Sequence, residues 1–206
     1  MKKFQTQYVL TAEQLKENLK FFKITNEKYK IFTDDLLEYL SDNGFFDCPA
    51  STSLNLYNCF PGGLLDHKIR VAKYAANINN KLLPDSLKQE LTSIIKVSFL
   101  HGIGKVGIYE EQDSKWHREN IGSYYKYKDN QEQVALRVGE RSAYLAMKYG
   151  VKFEDFEYQA ILNSSKNLND DEQAKYFSDT LTIILCQAIQ LAIIEEKDRF
   201  NKFNEE

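Results

Sequence analysis

The chain has few of the residues that mark a covalently braced or extracellular protein. Its 206 residues include only three cysteines, Cys48, Cys59 and Cys186. Their number is odd and no two stand in a CxxC spacing. That argues against a disulfide framework or a zinc knuckle, and for a reducing, cytoplasmic setting. An excess of positive charge is also missing. With 27 basic against 30 acidic residues the net charge is −3, so no bulk field draws the chain to nucleic acid. The most apolar run, Leu181 to Ile194, is interrupted by Gln187 and Gln190 and falls short of a membrane span. Met1-Lys2-Lys3 is basic, but no apolar stretch follows it, and no signal peptide is expected. Internal repeats and low-complexity segments are lacking too. What the sequence does hold is 43% hydrophobic and 13% aromatic residues, enough for one sizeable core.

The apolar period is helical nearly throughout, which predicts an all-α protein. Thr11 and Gln14 have capping-box spacing, with Leu10 and Leu15 placed as a hydrophobic staple, and open a helix to about Phe22. A second helix is expected from about Asn26 to Asp42, stopped by Gly44. Residues 1–44 thus read as an N-terminal helical extension, packed on the rest because no Pro/Ser/Gly linker follows. Residues 45–206 read as the main domain. Pro49, Pro61, Gly62 and Gly63 predict an extended loop, after which Leu64, Leu65, Ile69, Ala72, Ala76 and Ile78 mark the buried stripe of a helix that ends before Pro84. Ser86 and Gln89 suggest a further capping box, opening a helix that carries Leu91, Ile94, Ile95 and Phe99 to His101. Aromatic alternation over 106–130 predicts a short hairpin. Helices follow at about 133–149, 154–165 and 177–199.

Two segments carry chemistry. Pro61-Gly62-Gly63-Leu64-Leu65-Asp66-His67-Lys68-Ile69-Arg70-Val71-Ala72 places a histidine one turn into a helix. Leu100-His101-Gly102-Ile103-Gly104-Lys105-Val106-Gly107 ends the next long helix on a second histidine. With Asp at position 102 this stretch would read LHDIGKVG. Both segments resemble the motifs of the HD family of metal-dependent phosphohydrolases, in which an adjacent His and Asp supply an imidazole and a carboxylate to one metal. Downstream, Val138-Gly139-Glu140-Arg141-Ser142 is similar to a GHGEKS-like motif. Ala160-Ile161-Leu162-Asn163-Ser164-Ser165 is similar to an AIRWHM-like helix. Leu185 to Ala192 matches the helix that closes the family's site. The likeness covers residues 48–196, and its first two motifs are the specific ones.

The resemblance implies an HD-domain-like helical bundle in which His67 and His101 approach each other. It also implies that Gly102, Val138, Ser164 and Ile189 stand where the family places metal ligands. None of those four has a ligating side chain. Two isolated histidines lack the charge and ligand number for a hydrolytic divalent ion, and without it nothing lowers the pKa of a bound water. The expectation is therefore no catalytic residue and no cofactor, with His67 and His101 read as packing histidines. The expected role is structural, ligand-sensing or interacting, through a protein partner or self-association. The N-terminal helices and the Tyr-rich segment Tyr124-Tyr125-Lys126-Tyr127-Lys128 are the expected contact regions. Similarity to HD proteins of bacteriophages and mobile elements implies a phage source. The alternative left open is a phosphohydrolase acting on nucleotides or other phosphoesters. Its Mn-, Fe- or Zn-type ion would be held by His67, His101 and a stray carboxylate such as Asp66 or Asp113. Lys105 is a candidate anion contact. The alternation of Tyr with Lys at 124–128 is the composition of a nucleic-acid stacking platform, but reads here as the edge of a hairpin.

Overall fold

The computed structural model describes residues 6–129, 136–164 and 179–205. Their regular structure is mostly helical, with one two-stranded sheet and an isolated bridge between Ser53 and Ser123. Helix α1 spans Ala12–Tyr29 and α2 spans Asp34–Asp42. Then come α3, Gly63–Asn77, and α4, Leu91–Leu100. Strands β1, Tyr109–Glu111, and β2, Tyr125–Tyr127, pair antiparallel, with Tyr109 opposite Tyr127 and Glu110 opposite Lys126. Helices α5, Val138–Lys148, α6, Asp155–Asn163, and α7, Thr180–Glu205, follow among the described residues.

The capping box of α1 forms as the spacing predicts. Thr11 Oγ1 accepts from Gln14 N–H, and the Gln14 side chain accepts from Thr11 N–H. That helix does not stop at Phe22, however. Phe22 and Thr25 are both buried, so the helix continues about two more turns, and the chain breaks only where Lys30 turns left-handed and Thr33 caps α2. A second correction concerns Ser86 and Gln89, which do not form the expected cap. Ser86 lies within a short 3-10 turn, Asp85–Leu87, and Asn79 holds the Gln89 backbone from both sides, accepting from its N–H at 2.8 Å and donating to its carbonyl at 3.1 Å, so residues 88–90 stay extended. Helix α4 accordingly begins at Leu91. The hairpin over 106–130 has the expected strands, but a helical turn at His117–Ile121 lies between them. The expected helix starts at 133 and 177 and the end at 165 lie outside the described residues.

One core joins the seven α-helices of the described residues. Phe22, Ile31, Phe32, Leu36 and Leu40 from α1, α2 and the segment between them are buried in the same cluster as Ile94, Phe99, Leu100, Ala146, Ile161 and Leu185. Residues 1–44 thus contribute part of the common core. Cys48, Cys59 and Cys186 are all buried and unpaired. Among the described residues no helix is long and apolar enough to cross a membrane.

Helix α3 crosses the middle of the fold, packed by α4 on one side and α7 on another. Its first seven residues, Gly63 to Ile69, are buried whatever direction their side chains take. An enclosed helix is expected to be apolar all round, yet Asp66, His67 and Lys68 lie within that stretch. Three consecutive buried polar side chains need partners, and those partners define the site.

Candidate functional site

His67 and His101 come together, as the motif resemblance implies, with ring centroids 5.7 Å apart. His67 projects from the first turns of α3. His101 follows the last residue of α4, where Gly102, at φ +69°, turns the chain left-handed out of the helix. Further on, Gly104 lies so close to α5 that an added Cβ would stand 2.4 Å from the carbonyl oxygen of Val138. Only a glycine lets α5 approach this loop so closely.

Each imidazole is fixed through Nδ1. His101 Nδ1 donates to the Ser98 carbonyl at 2.7 Å, and His67 Nδ1 lies 3.0 Å from both carboxyl oxygens of Glu196 on α7. A carbonyl or carboxylate can only accept, so each Nδ1 carries a hydrogen. His101 Nε2 is buried without a hydrogen-bond partner. Burial, then Lys68 and His67, hold the His101 pKa well below the ordinary histidine value. On its other face His67 meets the ring of Tyr57 at 4.8 Å.

The group between these helices that motif reading missed is Lys68. It is fully buried, and its Nζ donates to the carbonyl oxygen of His101. A Cβ built on Gly102 would stand 3.7 Å from the same nitrogen. Lys68 therefore occupies the space toward which a side chain at position 102 would extend. Burial, with the nearby charge of Lys105, holds its pKa well below the usual lysine value. The sequence carried a signal for this, because Lys68 lies four residues after Leu64 and four before Ala72, in the apolar stripe itself. Glu196 gave a similar one, continuing the four-residue spacing of Ala188 and Ala192 along the buried face of α7.

The remaining charges neighbour one another in a partly buried network. Asp66 Oδ2 accepts from Arg199 at 2.8 Å and Asn58 at 3.0 Å, and Arg70 approaches it to 3.4 Å. Asn18 of α1 adds a bond at 3.3 Å to the other carboxyl oxygen. Arg70 also pairs with Glu195 and lies 3.4 Å from Glu196. Arg199 stacks against the ring of Tyr8, 4.7 Å from its centroid. Asp66 thus faces two guanidinium groups and does not point with His67 at a shared centre. Asp113 is exposed on the hairpin and pairs with Lys126.

The other expected positions are placed as follows. Val138 begins α5, and its carbonyl accepts from Ser142 Oγ, which in turn accepts from Gly104 N–H. Ser164 ends α6 and donates its hydroxyl to the Ile161 carbonyl. Ile189 packs half-buried on the main core, and it is Glu196, seven residues further along α7, whose carboxyl reaches His67. Lys105 donates to the Ala50 carbonyl and, at 2.9 Å, to the Tyr57 hydroxyl, so its ammonium is engaged by the loop over His67. Arg141 donates to the Gly104 and Val106 carbonyls and ties α5 to the segment that follows His101. Among the described residues no three His, Cys, Asp or Glu side chains group as a metal-binding set. The cleft beside Glu196, lined by Tyr8, Tyr57, Asn58, Phe60 and Arg199, leaves about 10 Å³ for a water-sized sphere. That is room for roughly one water molecule.

Replacing Lys68 with Met is expected to raise stability at neutral pH by about 2 kcal/mol, or a Tm increase of roughly 4–8 °C, because a buried amine without a carboxylate partner is costly. The folded-state pKa is depressed, so at neutral pH the unfolded chain binds a proton that the folded chain holds weakly. Wild-type stability therefore climbs as pH rises toward the ordinary lysine value near 10.4, and the advantage of Met shrinks over that range. Melting curves at pH 7 and pH 10 check both statements.

No protein-family model, curated protein or solved structure matches the chain.

Proposed function

We propose that this chain is a non-catalytic relative of the HD phosphohydrolases that acts by holding another macromolecule. The observation that carries the reading is Lys68, a buried amine donating to the His101 carbonyl at the point where the resemblance puts a ligand carboxylate. The divalent ion that the resemblance implies does not fit these residues. Two imidazoles and an amine offer little negative charge, and the nearest carboxyl, Glu196, is turned to the Nδ1 side of His67.

One observation favours the alternative of a phosphohydrolase. Both histidines keep their Nδ1 atoms hydrogen-bonded, leaving Nε2 disposed as in metal-bound histidines. A single experiment separates the two readings. The purified full-length protein is analysed for transition metals, then assayed on nucleotides and simple phosphoesters with added Mn or Fe. No stoichiometric metal and no turnover are expected. Gly102→Asp is expected to change neither result, because its carboxylate meets the Lys68 amine first. Stoichiometric metal, or turnover abolished by His101→Ala, would overturn the reading.

A further inference from the structure

Residues 6–9 belong to no helix or strand, and among the described residues they make no backbone–backbone hydrogen bond. What holds them is a short set of side-chain contacts at the cleft beside Glu196. The ring of Tyr8 forms one wall of that cleft. It meets Phe60 at 5.3 Å and Phe203 at 5.4 Å, both in edge contacts, and the Arg199 guanidinium lies 4.7 Å from its centroid. Two rings and a cation thus surround a third ring, and each of those contacts favours an aromatic occupant. Phe60 is buried, whereas Tyr8 is half-buried and Phe203 is 41% exposed, so this seat opens at the surface.

The seat also reads a peptide main chain. Asn204 Oδ1 accepts from the Thr6 N–H at 2.7 Å, and Asn204 Nδ2 donates to the Thr6 carbonyl at 3.4 Å. A side-chain amide that engages both main-chain groups of one residue holds an extended chain whatever its side chain there. At the next residue the Gln7 amide donates to the Cys59 carbonyl at 2.7 Å, a contact that needs a donor side chain. Val9 is 57% exposed, while Leu10 is buried at the start of α1 and marks the hinge. The segment that fits is therefore an extended peptide with an amide side chain followed by an aromatic one. Detaching residues 6–9 breaks no main-chain pairing, and water satisfies the peptide groups that are released.

We propose that residues 6–9 are a displaceable strap, and that the seat of Tyr8 is a docking site for an aromatic side chain on an extended peptide of a partner protein. This rests on the interaction reading above and deepens it. It is tested by peptide binding rather than by metal content or turnover, so each can fail alone. A tethered segment faces its own seat at an effective concentration on the order of millimolar, so the strap shields the seat from a free peptide while its ring is in place. The probe is a fluorescent peptide of sequence Thr-Gln-Tyr-Val-Leu, titrated with the full chain and followed by polarisation. Tyr8→Ala is expected to bind it at least about tenfold more tightly than either the wild type or Tyr8→Phe. A peptide with Ala in place of Tyr is expected to bind none of the three. A folded Tyr8→Ala chain that does not distinguish the two peptides overturns the proposal, and so does a wild type that binds as tightly as Tyr8→Ala. If Tyr8→Ala fails to fold, a spin label on Thr6→Cys in an otherwise wild-type chain decides the matter. Peptide at millimolar concentration is expected to turn its spectrum from restricted to mobile, and an unchanged spectrum overturns the proposal. A wild type that sediments at twice its 24.0 kDa chain mass, and is returned to one chain by Tyr8→Ala, would seat the strap of a second copy here and overturn the partner reading.

Discussion

A chain beginning at residue 45 is expected to show no cooperative melting transition. Phe22, Ile31, Phe32, Leu36 and Leu40 are all lost in such a truncation, and all five are buried in the common core. The ring of Phe22 alone meets those of Phe32, Phe45, Phe46 and Phe99 at centroid distances between 5.3 and 6.0 Å. Burying one side chain of this size contributes about 2 kcal/mol, and five contribute on the order of 10 kcal/mol. A domain of ordinary stability has 5–15 kcal/mol in total, as a rough range. The truncated chain would also expose the apolar surfaces of α4 and the Phe45 turn. Circular dichroism during heating, with binding of a hydrophobic dye, measures the effect. A soluble fragment 45–206 with a sharp transition would show that the first two helices are dispensable. The same argument disqualifies this deletion as a probe of partner binding, because loss of binding would only report loss of the fold.

The second large effect is expected at Asp66. Asp66→Ala should cost roughly 3–5 kcal/mol, because it leaves the Arg199 and Arg70 guanidinium groups and the Asn58 amide facing a carboxylate that is gone. Burial on its own would raise the Asp66 pKa, but Arg199 and then Arg70 outweigh it and hold the value below the usual aspartate range. The pH dependence follows from that sign. The unfolded aspartate takes up a proton near pH 4, before the folded one does, so Asp66 contributes its stability above that pH. The contribution is lost as pH falls through the folded value. Urea titrations at pH 7 and pH 3 should show wild-type stability falling more steeply toward acid than that of Asp66→Asn, which is already reduced at pH 7. Parallel pH profiles for the two proteins would contradict the role assigned to this carboxyl.

Much of the helical layout could be read from local patterns, because caps and stripes depend on residues only three or four apart. Thr11 with Gln14, and the arrest of α4 at His101 and Gly102, are of this kind. The errors arose where a distant residue decided. Asn79 claims the Gln89 backbone, which a Ser86/Gln89 capping box needs free. The approach of His67 to His101 followed from the motif resemblance. What surrounds Gly102 did not, since the space beside that glycine is filled by Lys68 of the neighbouring helix. Lys68 was passed over as the residue after a candidate ligand, although a lysine within an apolar stripe is itself a signal. Asp66 was weighed as a stray ligand, but its real partners, Arg199 and Asn58, lie 133 and 8 residues away.

The three buried cysteines have a practical consequence for reagent chemistry. Burial pushes the thiols of Cys48 and Cys59 up to about 12 and that of Cys186 to about 11. Alkylating reagents attack the thiolate, and at neutral pH almost none is present at these sites. The folded chain is in effect a thiol-silent background without any cysteine having been removed. A single cysteine placed at the exposed Gln187 of α7 would take up a spin label or fluorophore alone.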